Sequence, residues 1–255
     1  MPLILVTNDD GISSAGIKAL AKALEAAGDV YIVAPDSEQS AVAHALTLHR
    51  PLKSAKTGKK KFSINGTPTD CVIIGVNKLL PRKPDILVSG INHGGNLGDD
   101  VTYSGTVAAA MEATLLGIPS IAISLAIDPQ SNGDLNIKPS RFRQAADIAV
   151  KFAGIVLKKG LPKDTLLNIN VPDLLKIKGE KFTKQGKRVY DSSIQELSDP
   201  RGKKHYWIGG GMPIWEPGEE TDFEAVINGF VSVTPVHLDM TNYRALKFIK
   251  KNWKV

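Results

Sequence analysis

Leu3-Ile4-Leu5-Val6-Thr7-Asn8-Asp9-Asp10-Gly11 is the stretch on which the fold turns. Its first five residues carry no charge and show no polar alternation. That is the pattern of a strand buried on both faces, as inside a parallel sheet. Asn8 to Gly11 then supplies turn chemistry. Beyond it, Ile17, Leu20 and Leu24 recur at helical spacing, and Val30 to Ala34 is a second apolar run halted by Pro35-Asp36-Ser37. The chain therefore opens strand, acidic loop, helix, strand, which is the start of an α/β protein.

The same rhythm continues outward. Asp85 to Ser89 reads as a buried strand, Gly90 to Gly105 as a long loop rich in Gly and Asn, and Thr106 to Leu116 as a helix. Ile118 to Ser124 is a further strand, Phe142 to Leu157 a long helix, and Leu166 to Val171 a strand closed by Pro172. This alternation predicts a mostly parallel sheet with helices on both faces, over residues 1–175. Between Ala41 and Pro68 the runs Leu46-Thr47-Leu48 and Lys61-Phe62-Ser63-Ile64 predict a β-hairpin excursion, with Lys59-Lys60-Lys61 at its tip. After about Lys176 the rhythm stops. Residues 176–255 read as a C-terminal extension whose arm, displaying Tyr206-Trp207-Ile208-Gly209-Gly210-Gly211, could embrace a second subunit. A strand over Gly229 to Pro235 and a helix over Tyr243 to Asn252 then return to the core.

Composition narrows the function classes. At 255 residues the chain can bury a substantial core. The net charge of +6 favours anionic partners in general, but the basic residues are dispersed and few aromatics interleave with them. Nucleic acid is therefore not an expected partner. The single cysteine, Cys71, excludes an intrachain disulfide and a Cys-based metal site, and fits a reducing compartment. It reads as a structural thiol at the start of a helix. No run reaches the ~18 apolar residues of a membrane span, and the first residues lack a signal peptide's basic n-region. A cytoplasmic protein without a membrane partner is expected.

In open α/β sheets ligands bind beyond the carboxyl ends of the strands. Four polar loops fall there: Asn8 to Gly11, Asp36 to Ser40, Ser89 to Asp100, and the stretch from Ser124 onward. Asp9 and Asp10 are adjacent carboxylates at the end of a buried strand, where they repel each other and lose solvation. A divalent cation would offset both costs, and oxygen ligands suit Mg²⁺, Mn²⁺ or Ca²⁺ better than Zn²⁺. The plain alternative is a turn. In Ser89-Gly90-Ile91-Asn92-His93-Gly94-Gly95-Asn96-Leu97-Gly98 the glycines let backbone approach a ligand, and Asn92 and Asn96 can coordinate a metal or donate to phosphate. The segment is neither a Walker A loop nor a G-x-G-x-x-G fingerprint. Ser104-Gly105-Thr106 precedes a helix; it is either an ordinary cap or a phosphate site at the helix N-terminus. His93 and His237 are candidate proton donors. No paired-histidine zinc motif and no G-x-S-x-G elbow is present.

Taken in order, Val6-Thr7-Asn8-Asp9-Asp10-Gly11, Ala34-Pro35-Asp36 with Ser40, Gly66-Thr67-Pro68 with Asp70-Cys71, Ser89-Gly90-Ile91-Asn92 with Gly94 and Asn96, and Ser104-Gly105-Thr106 resemble the SurE family, stationary-phase survival proteins that are 5'/3'-nucleotidases. Asn168-Ile169-Asn170-Val171-Pro172, Tyr206-Trp207-Ile208-Gly209-Gly210, Thr221-Asp222 and Ser232-Val233-Thr234-Pro235 extend the resemblance over nearly the whole chain. Ala41-Val42-Ala43-His44 departs from it, with Ala where Gly is common. The resemblance implies a Rossmann-like three-layer α/β sandwich with the hairpin and a C-terminal oligomerisation arm, forming homodimers or tetramers. It implies one divalent metal per subunit, Mg²⁺ or Mn²⁺, held by Asp9, Asp10, Ser40 and Asn92, with Asp9 and Asp10 also catalytic. Asn96, Ser104, Gly105 and Thr106 would line the phosphate site. The implied substrates are nucleoside 5'- and 3'-monophosphates and short polyphosphate. Two rivals stand beside this reading: a non-catalytic nucleotide-binding regulator, and a polyanion binder acting through the basic surface.

Overall fold

The computed structural model describes residues 1–127, 141–189, 194–208 and 214–253. One nine-stranded sheet organises the molecule, in the order β3-β4-β2-β1-β5-β6-β7-β13-β8. Its centre is β1 (Leu3–Thr7), buried along its whole length. β1 lies parallel to β2 (Asp29–Pro35) on one side and to β5 (Ile86–His93) on the other. β6 (Ser120–Ala126) and β7 (Thr165–Pro172) continue the parallel set beyond β5. The chain moves from β1 outward to β2 and then returns to the far side of β1 at β5. The carboxyl ends of β1 and β5 thus flank the topological switch point, the place where open α/β sheets bind their ligands.

Alternate residues of these strands feed two cores. Ile4, Val6, Ile86, Val88, Ile121, Ile123 and Ile169 pack under α1 (Ala15–Leu24) and α4 (Phe142–Lys159). Leu5, Leu87, Ala122 and Leu166 pack under α2 (Pro68–Ile74) and α3 (Gly105–Leu115). Two helical layers around one sheet make the three-layer sandwich that the alternation predicts. α1 starts sharply because Ser14 accepts from the Ile17 amide. α2 starts with a capping box between Thr67 and Asp70, followed by Pro68. Cys71 lies fully buried within α2, and burial pushes its thiol well above the usual range, as befits a structural residue.

The hairpin excursion joins the sheet edge, but its first strand is not Leu46 to Leu48. β3 is Ser54–Gly58, antiparallel to β4 (Lys61–Ile64), with Lys59 and Lys60 at the tip. β3 is exposed throughout, so no apolar alternation marked it. β5 runs on to His93 instead of stopping at Ser89, and the first part of the Gly-rich segment is strand. Residues 128–140 of the loop beyond Ser124, and Gly209 to Gly211, lie outside the described residues.

The C-terminal part contributes to the same sheet. β13 (Val231–His237) pairs antiparallel with β7, and β8 (Glu180–Phe182) pairs parallel with β13. β9 (Arg188–Val189) pairs with β12 (Ile214–Trp215), and β10 (Ile194–Ser198) with β11 (Lys204–Ile208), both antiparallel. α5 (Asp222–Ile227) packs near β13, and α6 (Tyr243–Asn252) has no buried residue.

Candidate active site

Asp9 leaves β1 at the switch point and is 6% exposed. It meets the start of α3. Its Oδ1 accepts from the Thr106 hydroxyl, and the Thr106 amide also donates to its carboxylate. A Cβ on Gly105 would lie 2.9 Å from the Asp9 Cβ, so only glycine lets the helix end come this close. Ser104 is the N-cap, its hydroxyl accepting from the Val107 amide at 3.1 Å. The helix N-terminus therefore already faces a carboxylate, and any phosphate would share it with Asp9.

Asp10 stands beside Asp9 and receives a hydrogen bond from the His93 amide at the end of β5. Burial pushes its pKa from the ordinary 3.8 up to about 7, helped by the charge of Asp9 and then of Glu38. Asp9 is also raised, chiefly by burial, against the hydrogen bonds from Thr106. Among the described residues the ion pairs lie elsewhere and include neither carboxylate. Two desolvated, mutually repelling carboxylates without a cationic partner fit a divalent cation. So do the hard oxygen donors around them. No group of three or more His, Cys, Asp or Glu among the described residues could hold a metal. A cation here would need hydroxyl or amide oxygen as well as carboxylate.

Asn92 is such a donor. Its Nδ2 donates to the Gly94 carbonyl at 2.9 Å, which leaves Oδ1 as the atom for a cation. Ser40 lies on the loop after β2, and its hydroxyl donates to Glu38 at 2.6 Å. That loop is tied to the site because the Gln39 amide donates to the Asp9 carbonyl at 2.8 Å. Asn96 is 7% exposed between β5 and the 3-10 turn Gly98–Thr102, its amide nitrogen 2.8 Å from Ser124 Oγ.

The two candidate histidines separate. His93 sits beside Asp10 through its backbone amide, and burial and then the charge of Arg141 lower its side-chain pKa, which favours the neutral imidazole. His237 pairs with Thr165, the first residue of β7, at the end of the sheet away from Asp9 and Asp10, so the fold does not bring it to the carboxylates of this subunit.

Several residues escaped sequence reasoning. Glu38 is a third acidic group whose charge reaches both aspartates. Asn8, fully buried, donates to the Gly11 carbonyl at 3.1 Å and to Ser14 at 2.9 Å, bracing the acidic turn against α1. Asp222, at the start of α5, accepts from the Gly98 amide at 2.8 Å and the Gly186 amide at 2.9 Å. Gln185 donates to the Gly98 carbonyl at 2.7 Å, and the Trp215 ring packs where a Gly98 side chain would be, at 2.5 Å. The far end of the Gly-rich segment is thus clamped by the C-terminal part. Its signal, the pair Thr221-Asp222, shows no partner in sequence.

Known proteins share this architecture. The family model described as Survival protein SurE matches residues 4–192. A 5'-nucleotidase SurE from Geotalea daltonii is 52% identical over 254 residues, covering 99% of each chain. The 5'-nucleotidase SurE of Geobacter sulfurreducens is 55% identical over 249 residues, covering 97% of this chain and 92% of that one. The crystal structure of a SurE protein from Aquifex aeolicus superposes with a TM-score of 0.83 at 46% identity, covering 98% of this chain and 99% of the other.

Proposed function

This chain belongs to the SurE family, and we propose on that premise that it is a 5'-nucleotidase: a divalent-metal-dependent phosphatase releasing phosphate from nucleoside 5'-monophosphates. Nucleoside 3'-monophosphates and short polyphosphate present the same terminal phosphoryl group and are proposed as further substrates. The observation that carries the reading is the pair of buried Asp9 and half-buried Asp10 at the switch point, without a cationic partner among the described residues, against the start of α3 at Gly105. A protein that merely bound phosphate would gain nothing from two anions facing its ligand.

We assign the cation, Mg²⁺ or Mn²⁺, to Asp9, Asp10, Ser40 and Asn92. When bound, it acidifies a water and neutralises charge that develops on the phosphoryl group. The protein's own groups do the rest. Ser104, Gly105 and Thr106 bring helix N–H groups toward the phosphoryl oxygens, and Asn96 offers an amide N–H. Thr106 orients the Asp9 carboxylate, which serves as the proton acceptor for the attacking water. The alternative nucleophile is Asp9 itself; a trapped phospho-enzyme that turns over would establish that route.

A second copy of this chain is the proposed partner. β10 and β11 expose Ile194, Tyr206 and Ile208 on one face of the hairpin and Leu197 and Trp207 on the other, apolar surface of the kind that a second copy would cover.

The deciding experiment is phosphate release from a panel of nucleoside monophosphates after EDTA treatment, then with Mg²⁺ or Mn²⁺ restored, beside Asp9→Asn. Metal-dependent release that the variant loses by orders of magnitude is expected. Saturable nucleotide binding without release under any metal would replace this reading with a regulator.

A further inference from the structure

The Gly-rich segment that carries Asn96 has little side-chain bulk of its own to fix its path, since Gly94 and Gly95 precede it. It takes its shape from β6 and β7. The Asn96 amide donates to Asn170 Oδ1 at 2.8 Å, and the Asn96 carbonyl accepts from Asn170 Nδ2 at 3.0 Å and from Asn168 Nδ2 at 2.8 Å. The Asn170 side chain thus grips both polar groups of one residue, as a neighbouring strand would. The Asn96 side-chain nitrogen in turn donates to Ser124 Oγ at 2.8 Å.

Ser124, Asn168 and Asn170 are each 0% exposed. They lie on the sheet face that α3 covers, Ser124 directly opposite Asn170 in the register. Lower on the same face stand Ala122 and Leu166. Apolar side chains would fill the upper positions more cheaply, because every buried amide loses solvation and must be re-bonded. Asn168 Oδ1 even stays without a partner among the described residues. What the arrangement gains in return is the fixed path of Asn96.

Building on the assignment of Asn96 to the phosphate site, we propose that Asn170, Asn168 and Ser124 are positioning residues. They fix Asn96 so that the second N–H of its amide faces a phosphoryl oxygen of the substrate. An amide nitrogen has two N–H bonds, and Ser124 takes one.

The test uses the full-length, metal-loaded protein. The readouts are kcat and KM for a nucleoside 5'-monophosphate, the inhibition constant of inorganic phosphate, the metal concentration for half-activation, and the melting temperature. Asn170→Asp keeps size and one acceptor but turns a carboxylate oxygen toward the Asn96 carbonyl. Asn96→Ala and Asn170→Asp should each lower kcat/KM by about 10- to 100-fold and weaken phosphate inhibition about tenfold, and the double variant should be no worse than the poorer single. Half-activation by metal should stay within about twofold, since the phosphate contact and not the cation site is displaced. Should Asn170→Asp fail to fold, Ser124→Ala decides on the same readouts, with phosphate inhibition weakened about three- to tenfold. Additive effects, or metal half-activation moving in step with phosphate binding, would mean ordinary structural loosening and overturn the proposal. So would parent-like kinetics in Asn170→Asp or Ser124→Ala beside an impaired Asn96→Ala. Parent-like kinetics in Asn96→Ala would instead remove Asn96 from the phosphate site.

Discussion

Asp10→Asn should inactivate the protein and, without metal, make it more stable. The Asp10 carboxyl is raised from 3.8 to about 7, first by burial and then by Asp9. In the fold it keeps a proton that the unfolded chain has already released. That contribution to stability is complete below about pH 4 and is lost as pH rises through about 7. A shift of about 3 pH units corresponds to roughly 4 kcal/mol as an upper bound; water entry and relaxation reduce it to about 2–4 kcal/mol. Asparagine carries no charge and avoids the loss. For a chain of this size that is roughly 5–15 °C in melting temperature. The assay is a thermal melt of both proteins in EDTA at about pH 8 and about pH 5, repeated with saturating Mn²⁺. The variant should melt higher than the parent at pH 8 in EDTA, by a margin that shrinks at pH 5. Mn²⁺ should raise the parent far more than the variant. A variant melting at or below the parent at pH 8, or a margin independent of pH, would refute the electrostatic account of the site.

Four further outcomes follow from the same geometry. Gly105→Ala places a methyl 2.9 Å from the Asp9 Cβ; the overlap should cost about 1–3 kcal/mol and lower kcat about 100-fold or more, read by melts and initial rates. Thr106→Val removes the hydroxyl donor to Asp9, so the acid limb of the kcat profile should move to higher pH, whereas Thr106→Ser should keep the parent profile. Asp222→Ala leaves the buried amides of Gly98 and Gly186 without their acceptor and should cost roughly 2–4 kcal/mol, measured by denaturant titration. Trp207→Glu in the exposed hairpin should shift the mass in light scattering toward the monomer; an unchanged monomeric mass in the parent would end the case for self-association.

What could be read in advance was whatever leaves a local mark. Leu3 to Thr7 was legible because a strand buried on both faces has no alternation, and α1 because Ile17, Leu20 and Leu24 line one face. β3 was not, since its five exposed residues answer to no core. The Asp9–Asp10 pair announced itself through its unfavourable electrostatics. Glu38 did not, because a lone acidic residue in a loop is ordinary until the fold turns its charge toward two others. Asn168 and Asn170 carried the period of a strand, which puts both on one face. Their common partner, Asn96, lies 72 and 74 residues away, a distance that no local pattern spans.

The grip of Asp222 on Gly98 has a consequence in time. Donor and acceptor are 124 residues apart in the chain. A ribosome adding about 5–20 residues per second needs roughly 6–25 seconds to make the second after the first. During that interval the acidic turn and α3 can already be folded, while the segment between them has no C-terminal anchor. A nascent chain of this kind can bury the part of its core around β1 and β5 early, yet the end of its Gly-rich segment cannot be pinned until Asp222 has been made.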